Sequence, residues 1–291
     1  MEKLTFGLQK LKFATLIGVN IFLDVALRRA LNIDPTKESF TIKLTGGPDG
    51  DVAGNELKIL IREYGKNVKV VGIADHSGCA EDLEGLDHDE LLRLVNNNLS
   101  IVDFSKDRLS SHGIVHSVET DEGFKARNSM HNRLEADAFV PAGGRPNTIN
   151  IHNYKQFLNA NGKPSSPLIV EGANLFITED ARQALFDDAG VIIVKDSSAN
   201  KCGVITSSFE ICAAMMLSED TFYSHKEKIV EDVLNRLRGL AKMEAELLFR
   251  EFDNFSGRYR TYISIFLSRI LLGKYCQYSL FHDKLLCTYL C

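Results

Sequence analysis

The chain has 291 residues, 44% of them hydrophobic and 25% charged, with a formal net charge of −5. That length suits one large domain or two ordinary ones, with a core that needs no disulfide or metal to hold it. The acidic balance, with no basic run interleaved with aromatics, argues against a nucleic-acid binder. The first 25 residues are apolar in places but lack a small-residue cleavage site behind a long apolar core. They read as an amphipathic helix rather than a signal peptide. Over 15–31, Val19, Phe22, Leu23, Ala26 and Leu27 recur at three- and four-residue steps, which predicts a helix broken by Asp34-Pro35. A strand at 41–44 then runs straight into Thr45-Gly-Gly-Pro-Asp-Gly50. Ala53, Leu57, Leu60, Ile61 and Tyr64 share one face of a helix over 51–64, and 68–74 is an apolar strand of the kind buried on both sides. The rhythm continues with a helix at 87–96, a strand at 114–118, a helix at 121–134 and a strand at 138–140 ended by Pro141. A strand at 168–170 opens into Glu-Gly-Ala-Asn. Thr178 caps a helix reaching Phe186, with Glu179 and Asp180 in its first turn, and 191–194 closes the series. Five or six strands, most followed by a helix, predict a doubly wound parallel sheet. Beyond about Ser208 the pattern is wholly helical. Its long run over 219–252 turns Val233, Leu237, Leu240 and Leu247 inward, as a packing element or a subunit contact. The tail from Arg258 is rich in Tyr, Phe, Leu and Cys and poor in acids.

The glycine-rich junction at 45–55 carries the most chemistry. A dinucleotide site needs a tight turn after the first strand, backbone bare enough for a diphosphate to approach, and a helix N-terminus aimed at that charge. Gly46, Gly47 and Gly50 supply the turn, and 51–55 opens the helix. Asp75 ends the second strand 25 positions after Gly50, where an acid meets the adenosine ribose hydroxyls and repels a 2′-phosphate, favouring NAD over NADP. The spacing is not G-x-G-x-x-G, since Pro48 and Ala53 stand where the outer glycines would fall, so an ordinary glycine turn stays open on the loop alone. A Walker loop is excluded because no Gly-Lys-Ser/Thr follows. The fold class is α/β: a Rossmann doubly wound parallel sheet with a leading helix and a helical C-terminal region. The chain divides into a leading helical segment (1–38), an NAD-binding Rossmann domain (39–217) and a helical region with a divergent tail (218–291).

Three stretches resemble the Glu/Leu/Phe/Val dehydrogenases, and most closely the large NAD-specific glutamate dehydrogenases. They are TGGPDGDVAGN (45–55), FVPAGGRPNTI (139–149) and IVEGANLFIT (169–178), the last joined through Asp196 to ANKCGVITSSFE (199–210). That last pair resembles the family's EGAN…NAGGVTVSYFE signature. The resemblance covers roughly 13–253. It implies NAD-dependent oxidative deamination of L-glutamate to 2-oxoglutarate and ammonia, in amino-acid catabolism, by an enzyme that is a homo-oligomer at full length. Carried over by residue, it places Gly47, Gly50, Asp51 and Val52 against the pyrophosphate of NAD and Asp75 against the adenosine ribose. Ala142, Gly143 and Asn147 line the approach to the nicotinamide ribose. Asn174 and Asn200 hold the nicotinamide end, with Thr15 near it, and Ser207 takes the substrate's side-chain carboxylate.

The departures are as informative. Lys201-Cys202 replaces the Ala-Gly of NAGG, which bears on close backbone approach there, Ser208 stands where many relatives have Tyr, and the tail after about 254 matches nothing in the family. In the family, a glycine-rich segment with the catalytic lysine and a proton-shuttling aspartate belong to a substrate domain upstream of the region resembling 13–44, and no Gly-Gly-x-Lys-Gly-Gly occurs in this chain. The chain is therefore expected to hold the cofactor without turning over substrate by itself, and no catalytic residue is assigned. A catalytically silent NAD-binding fragment, or a dehydrogenase of another amino acid, are the alternatives. The six cysteines, Cys79, Cys202, Cys212, Cys276, Cys287 and Cys291, form no C-x-x-C pair and suit neither zinc nor a disulfide framework. Cys202 reads as a small buried thiol, Lys195 and Lys201 as ion-pairing or solvated, His76 and Ser77 as turn residues. His112 and His116, four apart, share a face but find no third ligand, so no metal is expected. Apolar stretches break well before the roughly 20 residues a membrane span needs. The expectation is a soluble intracellular protein of cytoplasm or mitochondrion, with no nucleic-acid or membrane partner.

Overall fold

The computed structural model describes residues 14–255; the expectations for the N-terminal residues 1–13 and for the tail lie outside them. The chain order is α1 (Ala14–Ala30), β1 (Phe40–Thr45), α2 (Asp51–Tyr64), β2 (Val68–Ala74), β3 (Gly78–Glu81), α3 (His88–Asn97), β4 (Ile114–Ser117), α4 (Asp121–Arg133), β5 (Ala138–Pro141), β6 (Leu168–Val170), α5 (Glu179–Ala189), β7 (Ile192–Val194), α6 (Asp196–Ala199), α7 (Cys202–Met216) and α8 (Glu219–Phe255). The strands form one seven-stranded sheet in the order β4-β3-β2-β1-β5-β6-β7. From β2 through β7 every neighbouring pair is parallel. The strand order turns back at β1, whose neighbours are β2 on one side and β5 on the other. In doubly wound sheets such a reversal marks the carboxyl ends of the two strands, here β1 and β5, as the place where ligands are taken.

Strand β3 departs from the expected all-parallel sheet. It runs antiparallel to both β2 and β4. Its four residues carry no apolar run to betray a strand, and a tight turn at 75–78 sends it back along β2. A side chain at Gly78 would sit 1.9 Å from the His116 carbonyl, so glycine is what lets β3 and β4 close. His112 lies in the turn before β4 and His116 within the strand, so the two do not share the face expected of them. Helical structure resumes at Asp196, earlier than the expected Ser208. Thr178 takes the N-cap position of α5 but makes no capping bond, because its hydroxyl turns to Asp180 instead.

Alternation along the central strands sorts the core into two layers. Phe40, Ile42 and Leu44 of β1 face α1 and α2, and they share one cluster with Val19, Phe22 and Leu23 of α1, Leu57 and Leu60 of α2, and Ala245, Leu248 and Phe249 of α8. The leading helix and the long C-terminal helix are thus built into the same core as the sheet. On the opposite face Phe139, Phe157, Phe176, Ile169 and Leu185 pack together. Lys43 points into this second layer and is wholly buried. Its ammonium nitrogen donates to the Leu134 carbonyl (2.6 Å) and the Ser165 hydroxyl (2.7 Å) and lies 4.9 Å from the Phe157 ring centroid. Burial holds its pKa well below the ordinary lysine value. His131, buried beside the Phe139 and Phe176 rings, is pushed down to about 4 by the same desolvation and stays neutral at physiological pH. Among the described residues no helix is long and apolar enough to cross a membrane.

Candidate nucleotide-binding site

The loop that leaves β1 is shaped by glycines at two points. Gly46 has φ +101°, and a Cβ there would stand 2.9 Å from the Gly143 nitrogen, so the loops after β1 and β5 touch through bare backbone. Thr45 fastens that contact: its hydroxyl donates to the Gly143 carbonyl (2.6 Å) and its own carbonyl accepts the Ala142 N–H (2.8 Å). A Cβ on Gly47 would fall 2.3 Å from Asp49 Oδ1 and 2.5 Å from Asp75 Oδ2. Gly50 then opens α2 in an extended conformation (φ −83°, ψ 140°) with no side-chain cap. Helices α3 and α4, by contrast, are capped by Asp87 on the Glu90 N–H (2.8 Å) and Thr120 on the Gly123 N–H (3.0 Å). The positive end of α2 is therefore turned toward the bare loop without a protein acceptor of its own type. This arrangement fits the diphosphate of a dinucleotide.

Asp75 closes β2 beside Gly47, yet most of its carboxylate is committed to the protein. Oδ1 accepts the Ser77 N–H (2.7 Å), the Ser77 hydroxyl (2.6 Å) and the Gly78 N–H (3.1 Å), and Oδ2 accepts the Ile101 N–H (2.8 Å). It thereby builds the turn into β3 and docks the segment after α3. Arg127 of α4 adds a bond to the Asp75 carbonyl (2.6 Å).

The other wall is organised by a buried ion pair. Glu171 is fully buried and Arg182 nearly so, with 2.9 Å between Arg182 Nε and Glu171 Oε2. Glu171 also accepts the N–H groups of Ile177 (3.2 Å) and Asp196 (3.4 Å), fixing both ends of the Gly172–Phe176 loop and the start of α6. Burial pushes the Glu171 carboxyl above its ordinary range, against the pull of the guanidinium. Asp196 in turn accepts the Leu175 N–H (2.7 Å), and Leu175 returns its carbonyl to the Asn147 N–H (2.7 Å). Leu175 and Asn147 both hold φ near +58°, easy for asparagine and costly for leucine. Asn200 donates to Asn174 Oδ1 (2.6 Å) and to the Gly172 carbonyl (3.1 Å). Asn147, Asn174 and Asn200 are thus tied together over the ends of β5 and β6.

Thr15 lies against α7, since a Cβ on Gly203 would meet its hydroxyl at 2.2 Å. A Cβ on Gly18 would come within 2.6 Å of the Ala199 carbonyl, so close approach survives the Lys201-Cys202 replacement by using Gly18 and Gly203. Ser207 is exposed one turn beyond Gly203, on the same side of α7. Lys201 is engaged in an ion pair with Glu244 of α8. Cys202 is buried, which lifts its thiol to about 12 and leaves it inert. Sequence reading gave no role to Glu171 beyond its motif and none to Arg182, Gly18 or Gly203. Their partners come from distant segments, and only an acid, an arginine and two glycines in odd places hinted at them.

The model of the Glutamate/Leucine/Phenylalanine/Valine dehydrogenase family matches residues 7–252. The chain belongs to this family. Among the curated relatives, the probable NAD-specific glutamate dehydrogenase of Schizosaccharomyces pombe is 38% identical over 254 residues, covering 81% of this chain and 22% of that protein. The NAD-specific glutamate dehydrogenase of Saccharomyces cerevisiae is 37% identical over 278 residues, covering 86% and 24%. The chain therefore spans under a quarter of the length of these family members. Among solved structures, glutamate dehydrogenase 2 of Plasmodium falciparum superposes with a TM-score of 0.56 at 21% identity, covering 84% of this chain and 48% of that one. At that identity the likeness establishes the shared fold.

Proposed function

We propose that this chain supplies the NAD-binding part of an NAD-dependent glutamate dehydrogenase, which oxidises L-glutamate to 2-oxoglutarate and ammonia in amino-acid catabolism. The observation that carries the reading is the uncapped start of α2 behind the bare Gly46–Gly47 backbone, at the point where the strand order reverses. In this reading Gly47, Gly50, Asp51 and Val52 meet the pyrophosphate, and Asp75 stands at the adenosine end. Ala142, Gly143, Asn147, Asn174, Asn200 and Thr15 hold the nicotinamide end, and Ser207 receives the substrate's distal carboxylate. NAD supplies the hydride acceptor. The chain's own residues orient it: the Asn174–Asn200 bond sets two amides for the carboxamide or ribose, and the Thr45–Gly143 bond keeps the nicotinamide side from drifting off the sheet edge. The lysine and aspartate chemistry belongs to the remainder of the enzyme, consistent with the short span relative to the curated relatives. The missing Gly-Gly-x-Lys-Gly-Gly segment favours a second reading, an NAD-binding fragment without turnover of its own.

The divisions at residues 38 and 217 are proposed as units of chain order only, because α1 and α8 share the sheet's core. Homo-oligomer formation at full length is proposed from apolar side chains left exposed on α7 and α8, among them Val204, Met215 and Met243. A location in cytoplasm or mitochondrion is part of the same proposal. Titration calorimetry tests the core of it. The chain is expected to bind NAD, and Gly47→Val is expected to lose at least tenfold in affinity, because its side chain would collide with Asp49 and Asp75. Absence of heat with millimolar NAD on folded chain overturns the reading. Glutamate turnover by the isolated chain would reject the fragment reading.

A further inference from the structure

Asp75 was expected to be the acid that reads the adenosine ribose, but with four donors already on its carboxylate it has little left to offer: Oδ1 is saturated, and Oδ2 keeps one acceptor site on the Gly47 side. The carboxylate with free capacity at this corner is Asp49. It sits in the loop between β1 and α2, half-buried, and makes no hydrogen bond among the described residues. His76, just past β2, lies nearby with its Nδ1 3.8 Å from Asp49 Oδ2. Oxygens of Asp49 and Asp75 flank the one point where a Gly47 side chain would stand, and they lie within 4.8 Å of one another. Two acceptors at that spacing suit the two donors of a vicinal diol. They repel a phosphate ester in its place, because neither can be satisfied by a group that brings acceptors and negative charge.

We infer that Asp49 is a specificity-determining residue: together with the remaining acceptor site of Asp75 it binds the adenosine ribose diol and excludes a 2′-phosphorylated dinucleotide. The inference rests on the NAD reading above. With Asp49 neutralised, the formal charges left at the corner are those of Asp75 and Arg127, a balance more tolerant of a 2′-phosphate.

The test is calorimetric titration of the whole chain and of its Asp49→Asn and Asp49→Ser variants with NAD and, separately, NADP. Thermal melts confirm that each variant folds. The parent is expected to prefer NAD, and both variants to lose about tenfold or more of that preference, through weaker NAD binding, stronger NADP binding, or both. A variant that binds NAD and NADP with the parent's ratio overturns the assignment while the NAD reading stands. A variant weakened equally toward both shows a loop-shaping role and also overturns it. A parent that binds neither dinucleotide overturns both readings together.

Discussion

Replacement of Arg182 by methionine is expected to lower the free energy of unfolding by about 3–5 kcal/mol, a large share of the 5–15 kcal/mol that holds an ordinary domain together. The cause is the carboxylate left behind. Glu171 is fully buried, and without the guanidinium its charge keeps only the Ile177 and Asp196 N–H groups. The damage should spread along the wall of the proposed nucleotide site, because Glu171 positions Asp196, Asp196 positions Leu175, and Leu175 positions Asn147. Urea unfolding followed by circular dichroism checks the stability, and NAD titration checks the site. A second substitution, Glu171→Leu on the Arg182→Met background, should recover much of the loss, since an apolar pair removes the stranded charge. The single variant should also be less impaired at low pH, where Glu171 can take up a proton. A single variant within 1 kcal/mol of the parent at neutral pH would refute this account of the pair.

A second large effect is expected at Glu56, on the inner side of α2. The residue is fully buried, and neither carboxylate oxygen has a hydrogen-bond partner among the described residues. Desolvation pushes its pKa up to about 8, against an ordinary value of 4.5, so the folded protein carries it protonated at neutral pH. Between those two values the folded state binds a proton that the unfolded state has released. The stabilising contribution is therefore fully present below about pH 4.5 and is lost as pH rises to about 8, above which it is gone. Lys43 works in the opposite sense: with a folded pKa below its ordinary 10.5, its contribution grows as pH rises toward that value. The difference between the parent and Glu56→Leu isolates the acid from the lysine. That difference should widen by several kcal/mol, on the order of 3–5, from pH 4.5 to pH 8, with the leucine variant the more stable at pH 8. Urea midpoints at half-unit pH steps measure it. A difference that stays flat with pH would show that Glu56 finds a partner in solution.

Much of the architecture was legible because its signals are local. The apolar faces of 51–64 and 68–74 gave α2 and β2 to the residue, and the glycine loop marked the turn between β1 and α2. Strand β3 was not legible. Its pairing is decided by the Asp75 turn and by contact with His116, 38 positions after Gly78. In the candidate site, sequence spacing placed Asp75 at the end of β2 but could not count its donors, which arrive from Ser77, Gly78 and Ile101. Lys43 occupies an alternate position of β1 that in a half-exposed sheet would face water. Here α4 and the Phe139–Phe157 layer cover it, and only the third dimension reveals that.

The sharing of one core by α1, the sheet and α8 has a practical corollary for anyone trimming this polypeptide. A shortened version starting at residue 39 would strip Val19, Phe22, Leu23 and Leu27 from the core they share with β1 and β6, leaving a greasy floor open to water beneath the strands. A minimal recombinant version must begin no later than residue 14 and run past 249, so that both flanking helices travel with the strands they shield.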